Sequence, residues 1–319
     1  MGLTGLVVLT LLGAVGWWVV RSGLGGGVVP FLASDQCEAT VEGRTVVLDP
    51  EQAQNAGLIT AIAVQRGMPA RAASIALATA YQESDLRNLD HGDRDSLGLF
   101  QQRPSQGWGT PEQVQDPTYA TNAFYDELAE VADYRQLEIT VAAQLVQRSA
   151  YPDAYADHEA DARVLASALT GNSKASFSCR VGGDWPETSA RLEPSGLTER
   201  ADRVRTELAE LFPDQPQGGF APGGVSTGHI PGSAHYEGRA VDVFVRPVNA
   251  VNKTRGWAIA AYAVSQAERW GVRTVIFDGR IWTAGVRSGQ GWRDYQAPDR
   301  PGDRAILEHR DHVHVDVAP

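Results

Sequence analysis

Residues 233–242 read Ser-Ala-His-Tyr-Glu-Gly-Arg-Ala-Val-Asp, and residues 312–317 read His-Val-His-Val-Asp-Val. The second stretch alternates strictly between polar and β-branched residues, which predicts a strand with His312 and His314 on one face. The first runs into Ala240–Val245 (AVDVFV), apolar and β-branched, and predicts another strand carrying Asp242. His235, Asp242 and His314 together supply two imidazoles and a carboxylate, the donor set that catalytic zinc takes while keeping a fourth position for water. Neutral histidines and one aspartate leave such a site net positive, which lowers the pKa of water towards ~7 and polarises a carbonyl. Amide hydrolysis is the natural use of that chemistry.

Around these strands the pattern is mixed. A helix is predicted from Thr198 to Leu211 and another from Thr254 to Trp270, stopped by Gly271; strands follow at Val272–Phe277 and Ile281–Trp282, with Asp278-Gly279-Arg280 as the turn between them. Residues 198–319 therefore read as an α+β domain. Before it, residues 182–197 turn to Gly, Pro, Ser and Glu, the composition of a linker. Residues 49–181 read as an all-α domain: Asp49-Pro50 opens a helix through Val64, Pro69 opens one through Tyr81, and Asp116-Pro117, Thr140 and His158 start three more. Residues 22–48 are left as a connector, and no internal repeat is present.

Gly2–Val20 is uncharged and apolar over nearly the length that crosses a bilayer, so residues 1–21 are expected to be a membrane anchor or a signal segment. The anchored reading is single-pass at the cell membrane with the remaining domains extracytoplasmic; the alternative is secretion. With 28 Lys+Arg against 39 Asp+Glu, a formal charge of −11, and no dense basic run, nucleic acid is excluded as a partner. There are two cysteines, Cys37 and Cys179, which bracket the helical section. Paired in an oxidising compartment they would close a loop worth ~5 kcal/mol; the alternative is two small unpaired core residues. Neither has a C-x-x-C neighbour, so a cysteine zinc site is ruled out.

The S-x-H-x-x-G-x-A-x-D pattern with a later H-x-H resembles the D-alanyl-D-alanine carboxypeptidase family of zinc peptidases, which also includes peptidoglycan endopeptidases. The resemblance covers roughly residues 198–319. It implies Zn²⁺ held by His235, Asp242 and His314, with His312 beside the water and the substrate, and Ser233 as a substrate contact. Some members carry a Glu three residues before the last ligand; here that position is Asp311, and His309 and Glu308 are further candidates for the general base. No Arg lies between Arg205 and Arg239, where such enzymes often place an oxyanion-stabilising side chain. His229, six residues before His235, reads as a loop histidine, and Asp316 as a solvated or hydrogen-bonded strand residue.

In the helical section, Tyr81-Gln-Glu83-Ser84 closes an apolar helix, followed by Ser96-Leu-Gly98-Leu-Phe100-Gln101-Gln102 and Gly107-Trp108-Gly109. These segments resemble the lysozyme-like fold of lytic transglycosylases, roughly from Asp49 to Gly171. The resemblance implies Glu83 as acid and then base on a glycosidic bond, with Ser84, Gln101, Trp108 and Tyr151 near the sugar. Where that family shows Tyr-Asn-Ala-Gly, this chain has Val146-Gln147-Arg148-Ser149-Ala-Tyr151. Asp90, Asp93 and Asp95 are the nearest candidates for a second carboxylate and also read as a solvated turn. Phe124 and Tyr125 are expected in the core. Both resemblances point to peptidoglycan, and together they resemble an actinobacterial-type two-domain cell-wall hydrolase; the rival is a wall-binding scaffold without turnover, or a zinc peptidase whose helical domain only binds glycan.

Overall fold

A computed structural model describes residues 35–149 and 153–319; the apolar segment at 2–20, residues 22–34 of the connector, and Tyr151 lie outside the described residues. Among the described residues no helix is long and apolar enough to cross a membrane. The helices open where the capping chemistry puts them. In α1 (Pro50–Gln65), Asp49 accepts a hydrogen bond from the Gln52 amide while the Gln52 side chain accepts from the Asp49 amide, a reciprocal cap with Pro at the first position. Helix α2 (Ala70–Ser84) is alanine-rich and buries Ala72, Ala73, Ala76, Ala78 and Ala80, so its neighbours approach closely. A short α3 (Pro111–Val114) leads to α4 (Pro117–Glu130), capped by Asp116, and then to α5 (Ile139–Gln147) and α6 (Glu159–Leu169). Phe124 and Tyr125 are fully buried, as expected of core residues.

This section is not all-α. Residues 36–48, expected as connector, form an antiparallel hairpin of β1 (Gln36–Val41) and β2 (Arg44–Leu48), turned through Glu42-Gly43. Strand β3 (Phe177–Arg180) adds to its other side in the order β2-β1-β3. Cys37 and Cys179 are register partners on β1 and β3, and they form a disulfide spanning 142 residues of sequence. On the loop-entropy account this closure is worth ~5 kcal/mol. Cys37→Ser with Cys179→Ser should therefore lower unfolding stability by about 3–5 kcal/mol and reduce the urea midpoint. Coincident melts with and without reductant would defeat that expectation.

The second section opens with α7 (Glu199–Leu211) and builds an antiparallel six-stranded sheet in the order β4-β5-β9-β6-β7-β8. Its members are β4 (Gln217–Gly218), β5 (Ala240–Phe244), β6 (Val272–Phe277), β7 (Arg280–Thr283), β8 (Arg293–Asp294) and β9 (His312–Val317). Between them run α8 (Ala250–Ser265), α9 (Ala267–Trp270) and α10 (Arg304–Leu307). Val241 and Val243 of β5 and Val313, Val315 and Val317 of β9 are buried on the face that meets α7 and α8. The opposite face carries Asp242, His312, His314 and Asp316, and floors a cleft of about 600 Å³.

Residues 36–319 form one compact unit with a continuous core. Helices α1 and α8 cross at Gly57, where an added Cβ would lie 2.2 Å from the Ser265 hydroxyl. Strand β3 is gripped by the second section as well: Trp282 donates to the Cys179 carbonyl and Trp292 to that of Phe177. The stretch 182–197 contains no helix or strand, yet it is pinned by Trp185 donating to the Glu268 carbonyl and by Arg200 donating to that of Pro186.

Candidate functional site

The cleft is built by one register. In the β5–β9 pair Asp242 stands opposite His314, so the two side chains emerge side by side. His235 reaches them from the 3₁₀ turn Ala234–Glu237, whose start is capped by Ser233 accepting from the His235 amide. Ser233 thus shapes the turn as well as lining the cleft. The three donor atoms form a near-equilateral triangle: His235 Nε2 to His314 Nδ1 is 3.1 Å, His314 Nδ1 to Asp242 Oδ1 is 3.1 Å, and His235 Nε2 to Asp242 Oδ1 is 3.3 Å. Donors about 2.0 Å from a tetrahedral zinc ion stand about 3.3 Å apart. The triangle has the size of one face of that tetrahedron, and the residues fit the metal that the sequence motif implies.

The surrounding contacts fix which nitrogen faces inward. His235 Nδ1 lies 2.8 Å from the Gly219 carbonyl and donates to it, which leaves the Nε2 lone pair directed at the site. Only glycine fits at 219, since a Cβ there would stand 2.3 Å from the His235 ring. His314 turns Nδ1 inward and offers Nε2 to Asp316 at 3.4 Å, a carboxylate behind the ring. Burial opposes a proton on His314, but Asp242 and Asp316 outweigh it and raise its pKa to about 10. Burial alone would raise the Asp242 carboxyl; hydrogen bonds from His235 and His314 hold it well below the usual carboxylate range. With a metal present, the ion takes the place of that imidazole proton.

His312 stands beside this triangle, its Nε2 3.9 Å from Asp242 Oδ1. Its Nδ1 donates to Asp311 Oδ1 at 2.7 Å, and the other Asp311 oxygen accepts from Arg246 at 2.7 Å. Both oxygens of Asp311 are thereby engaged, so this residue orients His312 and does not serve as the free general base considered above. Glu308 is tied to Arg304 and Arg310. His309, at a φ of 52°, sets its ring 4.6 Å from His312 and 4.9 Å from Tyr295, with its buried Nδ1 unpartnered among the described residues. Burial and the neighbouring histidines lower its pKa to about 3, which keeps it neutral.

Two features escaped the sequence reading. His229 lies on a loop, as expected, but beside the site: its ring stacks on His235 at 3.9 Å, and donor atoms of His229, His235 and Asp242 lie within 4.8 Å of one another. Burial and the adjacent His235 lower its pKa to about 4. Four arginines also line the cleft, Arg239, Arg246, Arg273 and Arg300. Arg246 lies over the Phe244 ring at 4.2 Å, four residues beyond Asp242.

Residues 193–305 are similar to the family described as VldE, C-terminal domain. That stretch is about a third of the chain; it contains His235 and Asp242 and ends before His312 and His314. No curated protein matches the chain.

In the helical section Glu83 occupies the last turn of α2, where the fully buried Tyr155 donates a 2.7 Å hydrogen bond to Oε1. Burial pushes the Glu83 carboxyl up, against the opposing hydrogen bonds from Tyr155 and Gln147. The buried Ser84 hydroxyl donates to the Leu99 carbonyl at 2.7 Å and fastens the 96–102 segment to α2. The Gln101 side chain likewise donates to the carbonyls of Gly98 and His91, and Trp108 packs half-buried against the core. Asp95 is held by Arg103 and the Ser105 amide, and Asp90 by His91, so both serve the turn itself.

Proposed function

We propose that this chain is a zinc-dependent peptidase acting on the stem or cross-link peptides of peptidoglycan, with Glu83 of the helical section cleaving the glycan strand. The observation that carries the peptidase reading is the donor triangle of His235, Asp242 and His314 beside an oriented His312. Zinc bound there would activate water at neutral pH and polarise the scissile carbonyl. His312 Nε2 would take the proton released in attack and return it to the leaving amine, with Asp311 holding the ring and Arg246 holding Asp311. The cleft of about 600 Å³ admits an extended peptide along the sheet face, and Arg273 and Arg300 on its walls suit a carboxylate-bearing one. Membrane tethering or secretion belongs to this reading and rests on residues 2–20 of the sequence.

Because Asp311 acts through His312, Asp311→Asn should cut peptide cleavage about 10–100-fold while metal content stays unchanged. Loss of the metal itself in that variant would place Asp311 in a different role. For the whole reading, the test is mass spectrometry of fragments released from purified peptidoglycan by the zinc-loaded protein. New stem-peptide termini that vanish on chelation support the peptidase, and anhydro-sugar or reducing ends support glycan cleavage. Sedimentation with the polymer and no fragment of either kind would replace both activities with a binding scaffold.

A further inference from the structure

His229 stands beside two of the three donors, His235 and Asp242, and is held there by an unusual clamp. Its backbone amide donates to the Tyr236 hydroxyl at 3.0 Å, while that hydroxyl donates to the His229 carbonyl at 2.6 Å. Tyr236 belongs to the same 3₁₀ turn as His235, so the loop bearing His229 is docked directly on the ligand-bearing turn. On either side stand Gly228 and Gly232, both at positive φ, with nothing within 4 Å of where their side chains would be. The imidazole itself is only half-buried. Two donors on one tetrahedral zinc ion are about 3.3 Å apart, whereas the donor atoms of His229, His235 and Asp242 lie within 4.8 Å. A swing of at most about 1.5 Å, turning the His229 ring out of its stack on His235, brings its donor to that spacing from His235 and Asp242.

We propose that His229 is a displaceable fourth donor, which caps the metal's remaining coordination position and must swing out before a substrate carbonyl or an inhibitor can enter. This rests on the metal-site reading above and adds to it a latent, four-protein-ligand state. A site closed by four protein donors does no hydrolysis, and one with three keeps a position for the reaction, so the loop decides which state is populated. An incoming ligand binds more weakly by the fraction of molecules whose loop is open.

The test uses the full chain loaded with cobalt(II), whose visible spectrum reports the donor set, together with acetohydroxamate as the incoming ligand. His229→Ala should change the cobalt spectrum, weaken zinc about tenfold in competition with a chelator, and bind acetohydroxamate about tenfold more tightly than the wild type. Tyr236→Phe, which releases the loop without touching the imidazole, should also tighten acetohydroxamate. An unchanged cobalt spectrum and equal acetohydroxamate affinity in His229→Ala would overturn the proposal while leaving the three-ligand site intact. A wild-type chain that takes up no metal, or a His314→Ala chain that holds it as tightly, would overturn the metal reading and the cap with it.

Discussion

Asp242→Asn is expected to abolish metal-dependent peptide cleavage, on the order of a thousandfold, with the fold retained. The substitution keeps the shape of the side chain on β5 and its place opposite His314, but it removes the negative charge that two imidazoles face. On the proposed reading, several kcal/mol of charge stabilisation at the reacting carbonyl would depend on the ion that this carboxylate would help hold, and about 1.4 kcal/mol corresponds to each factor of ten in rate. Zinc content by elemental analysis, cleavage of peptidoglycan peptides and the thermal midpoint should be measured together. Zinc retained with full cleavage would remove Asp242 from the site, and a chain that fails to fold would be recognised by its melt and replaced by His235→Ala. That second variant deletes a donor from a short surface turn and leaves the strands untouched.

Glu83→Gln is the second large effect, and it has a signature that a structural role would not produce. Glycan cleavage should fall 10²–10⁴-fold, the usual contribution of a positioned proton donor. In the wild type, cleavage should decline as pH rises through the raised Glu83 value, because the acid form is the one that protonates a leaving oxygen. Stability follows the same group with a definite sign. A carboxyl whose folded pKa is raised adds stability below its unfolded pKa, and that contribution is lost as pH rises through the folded value. Glu83→Gln should therefore gain stability relative to the wild type at pH 7–8, above the ordinary glutamate value, and gain nothing near pH 4. Denaturant midpoints at the two pH values check this, and a variant destabilised equally at both would make Glu83 a packing residue.

How much of this was legible in the sequence depends on the range over which each feature is encoded. Strand β9 and its shared face could be read directly, because alternation is a property of six consecutive residues. The Asp49-Pro50 and Asp116-Pro117 caps marked two helices for the same reason, whereas the Asn249 cap of α8 was missed and its start set four residues late, at Thr254. The hairpin at 36–48 was missed: its exposed Val47 and its pairing with β3 through Cys37 have no local signature. Sequence spacing also misplaced Asp311. Its position before His314 suggested a base, but a side chain between Arg246 and the inward-facing His312 is saturated by them. His229 and the cleft arginines depend on loops closing over a sheet face, and the contact at Gly57 depends on two helices nearly two hundred residues apart.

The Cys37–Cys179 bridge has a mechanical consequence for the chain under tension. Tension applied between residue 35 and the sheet section passes from β1 through the sulfur atoms directly into β3. The 142-residue span between the cysteines lies outside that load path. Force can extend the chain on either side of the bridge, but roughly 500 Å of contour length stays locked while the bond is intact. Pulled in a force spectrometer, the oxidised chain should lack this increment, and reductant should restore it, so the Glu83 site would remain folded under loads that unravel the sheet.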